Sequence, residues 1–288
     1  TVSDVATPAW ALTGLRPYQL EAARWLQDPP NRGRLLALRP GLGKTACAIA
    51  GLRIRHDAGQ LDSAIPVITT AIARGDWKRE VSRWWPEARV HVMRVDEPEY
   101  RKKGENLPVF RARRRTAWMN AFRSDGSKPT LLVASYEAVR DLHDAAIEHN
   151  LLFDTLVTDE VHVAKKERNL TSILLRTLVG KSRRTFMLTG TPVHNRPADL
   201  FNLLQMMDPI AFPSFMKWAS QFFMVRNHKF GRSVDELLDK PGLNAFLAPY
   251  FFDVDPEEVM GTLPPRQRYL RRIPVKQAVR ISPAKLNG

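Results

Sequence analysis

The sequence predicts an α/β protein, a doubly wound parallel sheet with a helical C-terminal extension. Three observations carry this. Short apolar runs recur between residues 34 and 189, they are continuous rather than alternating in polarity, and stretches of helical periodicity separate them. A strand covered by helices on both faces needs apolar side chains at nearly every position, which marks a parallel sheet. Alternation of strand and helix is what βαβ units produce.

The elements follow in order. LRPYQLEAARWL (15–26) has an amphipathic helical pattern, and RLLAL (34–38) reads as the first strand. A helix over 45–57 leads to the strand PVITT (66–70), then a helix over 76–85 and the strand RVHVM (89–93). TLLVA (130–134), DTLVT (154–158) and TFMLT (185–189) complete the strand set, with helices over 137–148 and 170–179 between them. Beyond residue 190 the strand signal fades. PADLFNLLQMM (197–207) puts Pro197 in a first helical turn ahead of apolar residues at helical spacing. Residues 212–223 and 234–246 read as further helices. TLPPRQRYLRRIPV (262–275) is rich in Pro and Arg and reads as a linker or edge element.

Composition narrows the class. The 288 residues, 44% hydrophobic, suffice for one large domain, and nothing in them suggests disorder. A formal charge of +14 points to a polyanion, for which nucleic acid is the usual partner, although an Arg-rich solvated surface gives the same count. The one cysteine, Cys47, precludes a disulfide within the chain and fits a reducing compartment. It is expected to be a small buried residue in the helix after residue 44. No apolar run reaches the ~18 residues of a membrane span, and the first ten residues lack a signal-peptide pattern. No membrane partner is expected, and the location is read as cytoplasmic or nuclear.

Four motifs carry chemistry. LRPGLGKT (38–45) lies between a predicted strand and a predicted helix. Gly41 and Gly43 let backbone N–H groups approach phosphate oxygens, Lys44 reaches the outer phosphates, and the Thr45 hydroxyl suits Mg²⁺. Leu38 stands where the general phosphate-loop pattern has its first glycine. DTLVTDEVH (154–162) is an apolar strand ending in two carboxylates. Asp159 is placed to serve Mg²⁺ and Glu160 to orient or deprotonate a water, with His162 two residues on as a coupling residue. MLTGTPVHN (187–195) ends another strand in Thr189 and Thr191 around Gly190, hydroxyls able to change partner with nucleotide state. In 15–26, the amide of Gln19 offers both a donor and an acceptor to adenine. Trp77, Trp84 and Trp85 read as core packing. The basic run RKKGENLPVFRARRR (101–115), with Phe110 and Trp118, reads equally as a phosphate-tracking surface or as a solvated helix face.

LRPYQ, GLGKT, DWKREVSRW, ASYE, DEVH and LTGTPVHNRPADLFNLL occur in that order over residues 15–204. This ordered set resembles the first RecA-like lobe of the Swi/Snf-type ATPases, the double-stranded DNA translocases of helicase superfamily two. The chain departs from that pattern at Leu38, Arg39 and Pro40, where the family usually has acidic residues and Met, and ahead of the LPP segment. The resemblance implies ATP and Mg²⁺ as cofactors. Gln19, Gly41, Leu42, Gly43, Lys44, Thr45 and Ala46 would bind the nucleotide, and Thr45 and Asp159 the metal. Lys44, Asp159 and Glu160 would drive hydrolysis, and His162, Thr189 and Thr191 would couple it to motion. Segments 70–78, 135–137 and 191–195 would face DNA, which brings in Arg74, Lys78, Ser135, Tyr136 and Asn195. The expected organisation is an ATP-binding lobe over 1–210, a helical extension over 211–261, and a linker over 262–288 toward a second RecA-like lobe. The expected function is that of a DNA-dependent ATPase lobe whose isolated form turns over little ATP, since such motors take an arginine finger from the second lobe. Two other readings stand beside it: a different superfamily-two motor, such as a restriction-type translocase or strand-separating helicase, and a nucleic-acid-binding module with a silent ATPase site.

Overall fold

The computed structural model describes residues 10, 14–29, 31–61, 64–93, 104–123, 128–164, 169–190, 197–228, 231–255 and 259. The chain divides into two compact units, Thr1–Val254 and Asp255–Gly288. Of the second, Asp255 and Val259 are described, linked by a backbone hydrogen bond. The predicted linker over 262–288 lies outside the described residues.

The first unit is built on a seven-stranded sheet of order β3-β4-β2-β5-β6-β1-β9. Its strands are β1 (Gly33–Leu36), β2 (Ile65–Thr69), β3 (Arg89–Met93), β4 (Thr130–Ser135), β5 (Phe153–Thr158), β6 (Ser182–Leu188) and β9 (Phe251–Phe252). Every neighbouring pair is parallel. The helices are α1 (Pro17–Trp25), α2 (Lys44–Asp57), α3 (Arg74–Trp84), α4 (Leu107–Phe122), α5 (Val139–Glu148), α6 (Leu170–Gly180), α7 (Pro197–Met207), α8 (Phe215–Phe222) and α9 (Lys240–Leu247).

The continuous apolar runs are explained by burial on both faces. Alternate strand residues Leu35, Ile68, Leu132, Leu156 and Met187 pack in one core with residues of α5, α6 and α7. Their neighbours Leu36, Val67, Leu131, Val157 and Phe186 are equally buried and point the other way. On that side a ring atom of Phe186 lies 3.3 Å from where a Cβ on Gly51 of α2 would sit. The edge strand β3 is the exception: Arg89 and His91 are exposed, which is how an edge discourages further pairing.

The predicted parallel-sheet class is what the structure shows, but the extension is not wholly helical. Instead of one helix over 234–246, residues 223–237 contain an antiparallel hairpin, β7 (Phe223–His228) with β8 (Gly231–Leu237), followed by α9. Pro241 would break the interior of a longer helix but fits the first turn of α9, where the Asp239 side chain accepts from Gly242 N at 2.8 Å. The chain then returns to the sheet, where β9 pairs with β1. Two residues are too few to register as a strand in the sequence. The six predicted strands and the helices over 45–57, 170–179 and 197–207 stand within a few residues of their expected bounds.

Candidate functional site

The strand order decides which loops meet. β2, β5, β6 and β1 are consecutive neighbours, and because they are parallel their C-terminal ends lie along one rim. The strand ends and the segments after them carry Thr69, Asp159–Glu160, Thr189–Gly190 and the glycine loop. Ligands of open α/β sheets bind at such a rim.

The loop after β1 rises to Gly43, which caps α2 in a left-handed conformation (φ 81°), and Gly41 is also left-handed (φ 90°). The first turn of α2 is Lys44, Thr45 and Ala46, whose N–H groups have no acceptor within the helix and sit at the positive end of its dipole. α1 braces this loop. Tyr18 Oη and Gln19 Nε2 both donate to the Leu42 carbonyl, at 2.9 and 3.1 Å. Burial holds the Tyr18 hydroxyl above its ordinary pKa, so it remains a donor. Gln19 Oε1 accepts from Arg16 N at 3.0 Å. The amide thereby serves the loop and the cap of its own helix. A Cβ on Gly43 would lie 2.3 Å from Gln19 Nε2, so any other residue there would displace the Gln19 amide as well as strain the backbone.

Lys44 Nζ, largely buried, lies 3.8 Å from Glu160 Oε1. Glu160 Oε2 accepts from Gly190 N at 3.2 Å and lies 3.1 Å from His162 Nδ1. The same imidazole nitrogen is 3.4 Å from Thr189 Oγ1. A Cβ on Gly190 would stand 3.0 Å from Lys44 Nζ, so the cation packs closely against this glycine. Glu160 is itself left-handed (φ 51°), a costly conformation for a residue with a Cβ, and strain of this kind gathers at functional sites.

Asp159 is 5% exposed and its carboxylate is held on both oxygens. Oδ2 accepts from Thr69 Oγ1 and from Trp77 Nε1, each at 2.9 Å, and Oδ1 accepts from Glu160 N at 3.0 Å. Burial lifts its pKa, with Glu160 adding to the rise, while the Trp77 and Thr69 hydrogen bonds and Lys44 oppose it. Tyr136 Oη donates to the Asp159 carbonyl at 2.8 Å. Burial, with the two carboxylates close by, keeps that hydroxyl well above its ordinary pKa.

The donor set fits a magnesium–nucleotide complex. A cation, helix-start amides without an acceptor in the helix and a carboxylate with one oxygen only partly used converge on one rim. Among the described residues no group of three or more His, Cys, Asp or Glu could cage a metal alone. A hard ion here would share its shell with phosphate oxygens and water.

The remaining predicted residues divide. Cys47 is fully buried, and burial pushes its thiol up to about 12. Trp77 and Trp85 are core residues, as expected. Of the residues expected to face DNA, Lys78 is exposed. Arg74 and Ser135 are buried, which is against a direct contact. The Arg74 guanidinium bonds the carbonyls of Ala71 and Met93 at 3.1 and 2.9 Å, tying α3 to β3. Tyr136 turns its hydroxyl to the Asp159 backbone. Thr191 and Asn195 lie outside the described residues. In the basic run, Arg113 pairs with Glu105, Arg114 with the fully buried Asp141, and Arg115 with Glu148. Arg114 also lies over the Phe110 ring, 4.7 Å from its centroid. With Phe110 and Trp118 buried beneath, the described part of the run favours the helix-face reading over that of a phosphate-tracking surface, although its arginines are ion-paired. Thr69 and the Trp77 indole N–H are site groups that sequence reasoning missed, since a buried Trp in an amphipathic pattern reads as core alone.

The family model of the SNF2-related domain matches residues 18–280. The chain is 25% identical over 219 residues to the ISWI chromatin-remodeling complex ATPase ISW1 of Saccharomyces cerevisiae, covering 74% of this chain and 18% of that protein. It is 28% identical over 268 residues to Protein CHROMATIN REMODELING 4 of Arabidopsis thaliana, covering 90% and 11%. Against the Chromodomain-helicase-DNA-binding protein 3 homolog of Caenorhabditis elegans it is 28% identical over 269 residues, covering 90% and 14%. The chain thus spans less than a fifth of the length of these relatives. Among solved structures, the Sulfolobus solfataricus SWI2/SNF2 ATPase core in complex with dsDNA shares the fold, with a TM-score of 0.63 and 21% identity, over 88% of this chain and 47% of that one.

Proposed function

This chain belongs to the SNF2-related family, and on that premise we propose that it is the ATP-binding lobe of a DNA-dependent ATPase that translocates on, or remodels, double-stranded DNA. The observation that carries the reading is the meeting of Lys44, Glu160 and Gly190 on one rim, with Asp159 held beneath them.

The start of α2 and Lys44 bind the phosphates, and the Gln19 amide takes the adenine edge. Magnesium, when bound, neutralises charge developing on the phosphate oxygens, and the Thr45 hydroxyl and Asp159 Oδ1 are the groups that would hold it. Glu160 orients the attacking water and accepts its proton. Lys44 and Gly190 N engage Glu160. A terminal phosphate competes for Lys44 and leaves the carboxylate to water. Gly190 and His162 then report that change to the segment after β6, as coupling residues should. Lys78 and the overall positive charge favour a polyanion, bound through its phosphates. A second RecA-like lobe would supply the arginine finger, and the greater length of the relatives supports its presence in the whole protein. The protein would act wherever its duplex DNA is, in the cytoplasm or the nucleus, and no helix among the described residues is long and apolar enough to cross a membrane.

The test is ATP turnover by the full-length protein with and without duplex DNA. Stimulation by duplex DNA is expected, and Lys44→Ala abolishes binding or hydrolysis. Glu160→Gln keeps ATP binding and loses roughly 10²–10⁴-fold in turnover, since the amide cannot accept a proton. Turnover indifferent to both substitutions refutes the site, and its absence in the unaltered protein favours a silent nucleic-acid-binding module.

A further inference from the structure

We propose that Trp77 is a positioning residue for the nucleotide-bound magnesium, acting through its indole N–H on Asp159 together with the Thr69 hydroxyl. The inference rests on Asp159 serving the metal, as proposed above, and adds which of its oxygens does so and what fixes that choice.

A carboxylate has about four lone-pair sites. Two donors, Trp77 Nε1 and Thr69 Oγ1, converge on Oδ2 at 2.9 Å each and fill it. Oδ1 takes one hydrogen bond, from Glu160 N at 3.0 Å. The one site left is on Oδ1, so the metal or its water must approach that oxygen. Without the two donors the side chain could rotate about χ2 and offer either oxygen.

The three residues come from different elements: Thr69 ends β2, Asp159 follows β5, and Trp77 projects from α3. The β2–β5 pairing, Ile68 against Thr158, sets Thr69 beside Asp159. Asp159 N also donates to Ile68 O at 2.7 Å, locking the same register. Trp77 is 1% exposed, so its N–H meets the carboxylate away from water, where a charge-assisted hydrogen bond directs geometry most strongly. α3 is in turn fixed by Arg74 on Met93 O. The indole is therefore rigidly held, as a group that orients a metal ligand must be.

The experiment measures binding of a fluorescent ADP to the full-length protein during a Mg²⁺ titration, alongside binding in EDTA and thermal unfolding. Trp77→Phe keeps an aromatic ring at the site and removes the donor, at some cost in packing that the thermal unfolding reads. Thr69→Val removes the other donor at nearly constant volume, and Thr69→Ser keeps it. Trp77→Phe and Thr69→Val should each raise the Mg²⁺ concentration for half-saturation roughly 10–100-fold, the range for loss of a metal ligand's hydrogen-bond partner. Affinity in EDTA should stay unchanged, and Thr69→Ser should match the unaltered protein. If Trp77→Phe does not fold, the Thr69 pair decides. Asp159→Asn separates the two claims. A lost Mg²⁺ response in Asp159→Asn with normal responses in Trp77→Phe and Thr69→Val overturns this inference alone. A normal response in Asp159→Asn overturns the metal assignment and the inference with it.

Discussion

Gly41 and Gly43 both have positive φ, yet the structure predicts unequal effects of alanine at the two positions. At Gly41 nothing lies within 4 Å of an added Cβ, so only the left-handed conformation is penalised, by about 1–2 kcal/mol. At Gly43 the same penalty applies, and the Cβ would also stand 2.3 Å from Gln19 Nε2. Gln19 must then leave, giving up its bonds to the Leu42 carbonyl and from Arg16 N, worth about 0.5–1.5 kcal/mol each. The sum is roughly 3 kcal/mol for Gly43→Ala. For a unit of this size that lowers Tm by roughly 6–12 °C, against roughly 2–8 °C for Gly41→Ala. ATP affinity should fall at least about tenfold for each ~1.4 kcal/mol that appears in the loop rather than in global stability. Thermal unfolding and ATP titration of both variants measure this, together with Gly43→Ala in a Gln19→Ala background. With Gln19 shortened the collision is gone, so Gly43→Ala should there cost no more than Gly41→Ala does, a coupling that a double-mutant cycle resolves. Equal losses for Gly41→Ala and Gly43→Ala, or no coupling to Gln19, would refute the account of how α1 braces the phosphate loop.

Two further outcomes concern stability. Arg114→Met strands the fully buried Asp141 without its cation and should cost about 3–5 kcal/mol in urea denaturation, while Arg114→Met combined with Asp141→Leu should recover most of it. If the single substitution is silent, the pair is not buried as described. The Cys47 thiol stays neutral to about 12 in the folded chain but ionises near ~8.5 when unfolded. Between those values the unfolded state binds fewer protons. Stability is therefore fully present below pH ~8.5 and falls by about 1.4 kcal/mol per pH unit as the pH rises toward about 12. Cys47→Ala should flatten that alkaline slope by one proton, read from denaturation midpoints between pH 8 and 10, and an unchanged slope would show that the thiol is accessible.

The parallel sheet, the strand ends and the motifs that sit on them were legible in the order of residues. Those features are local: a strand buried on both faces needs continuous apolar residues, and a phosphate loop needs glycine where φ is positive. The residues of DEVH and GLGKT were legible because each motif carries its own backbone constraint. Tertiary structure decided what faces what. Trp77 and Thr69 stand 82 and 90 residues from Asp159 in the chain, and only the strand order brings them to its carboxylate. The same holds for Arg74, which the family resemblance set toward DNA but whose guanidinium folds inward onto Met93, and for Arg114, which a buried carboxylate claims. A charged side chain in a sequence carries no sign of whether water or another chain segment will surround it. β9 belongs to this class as well, since two phenylalanines become a strand only because β1 presents an open edge beside them.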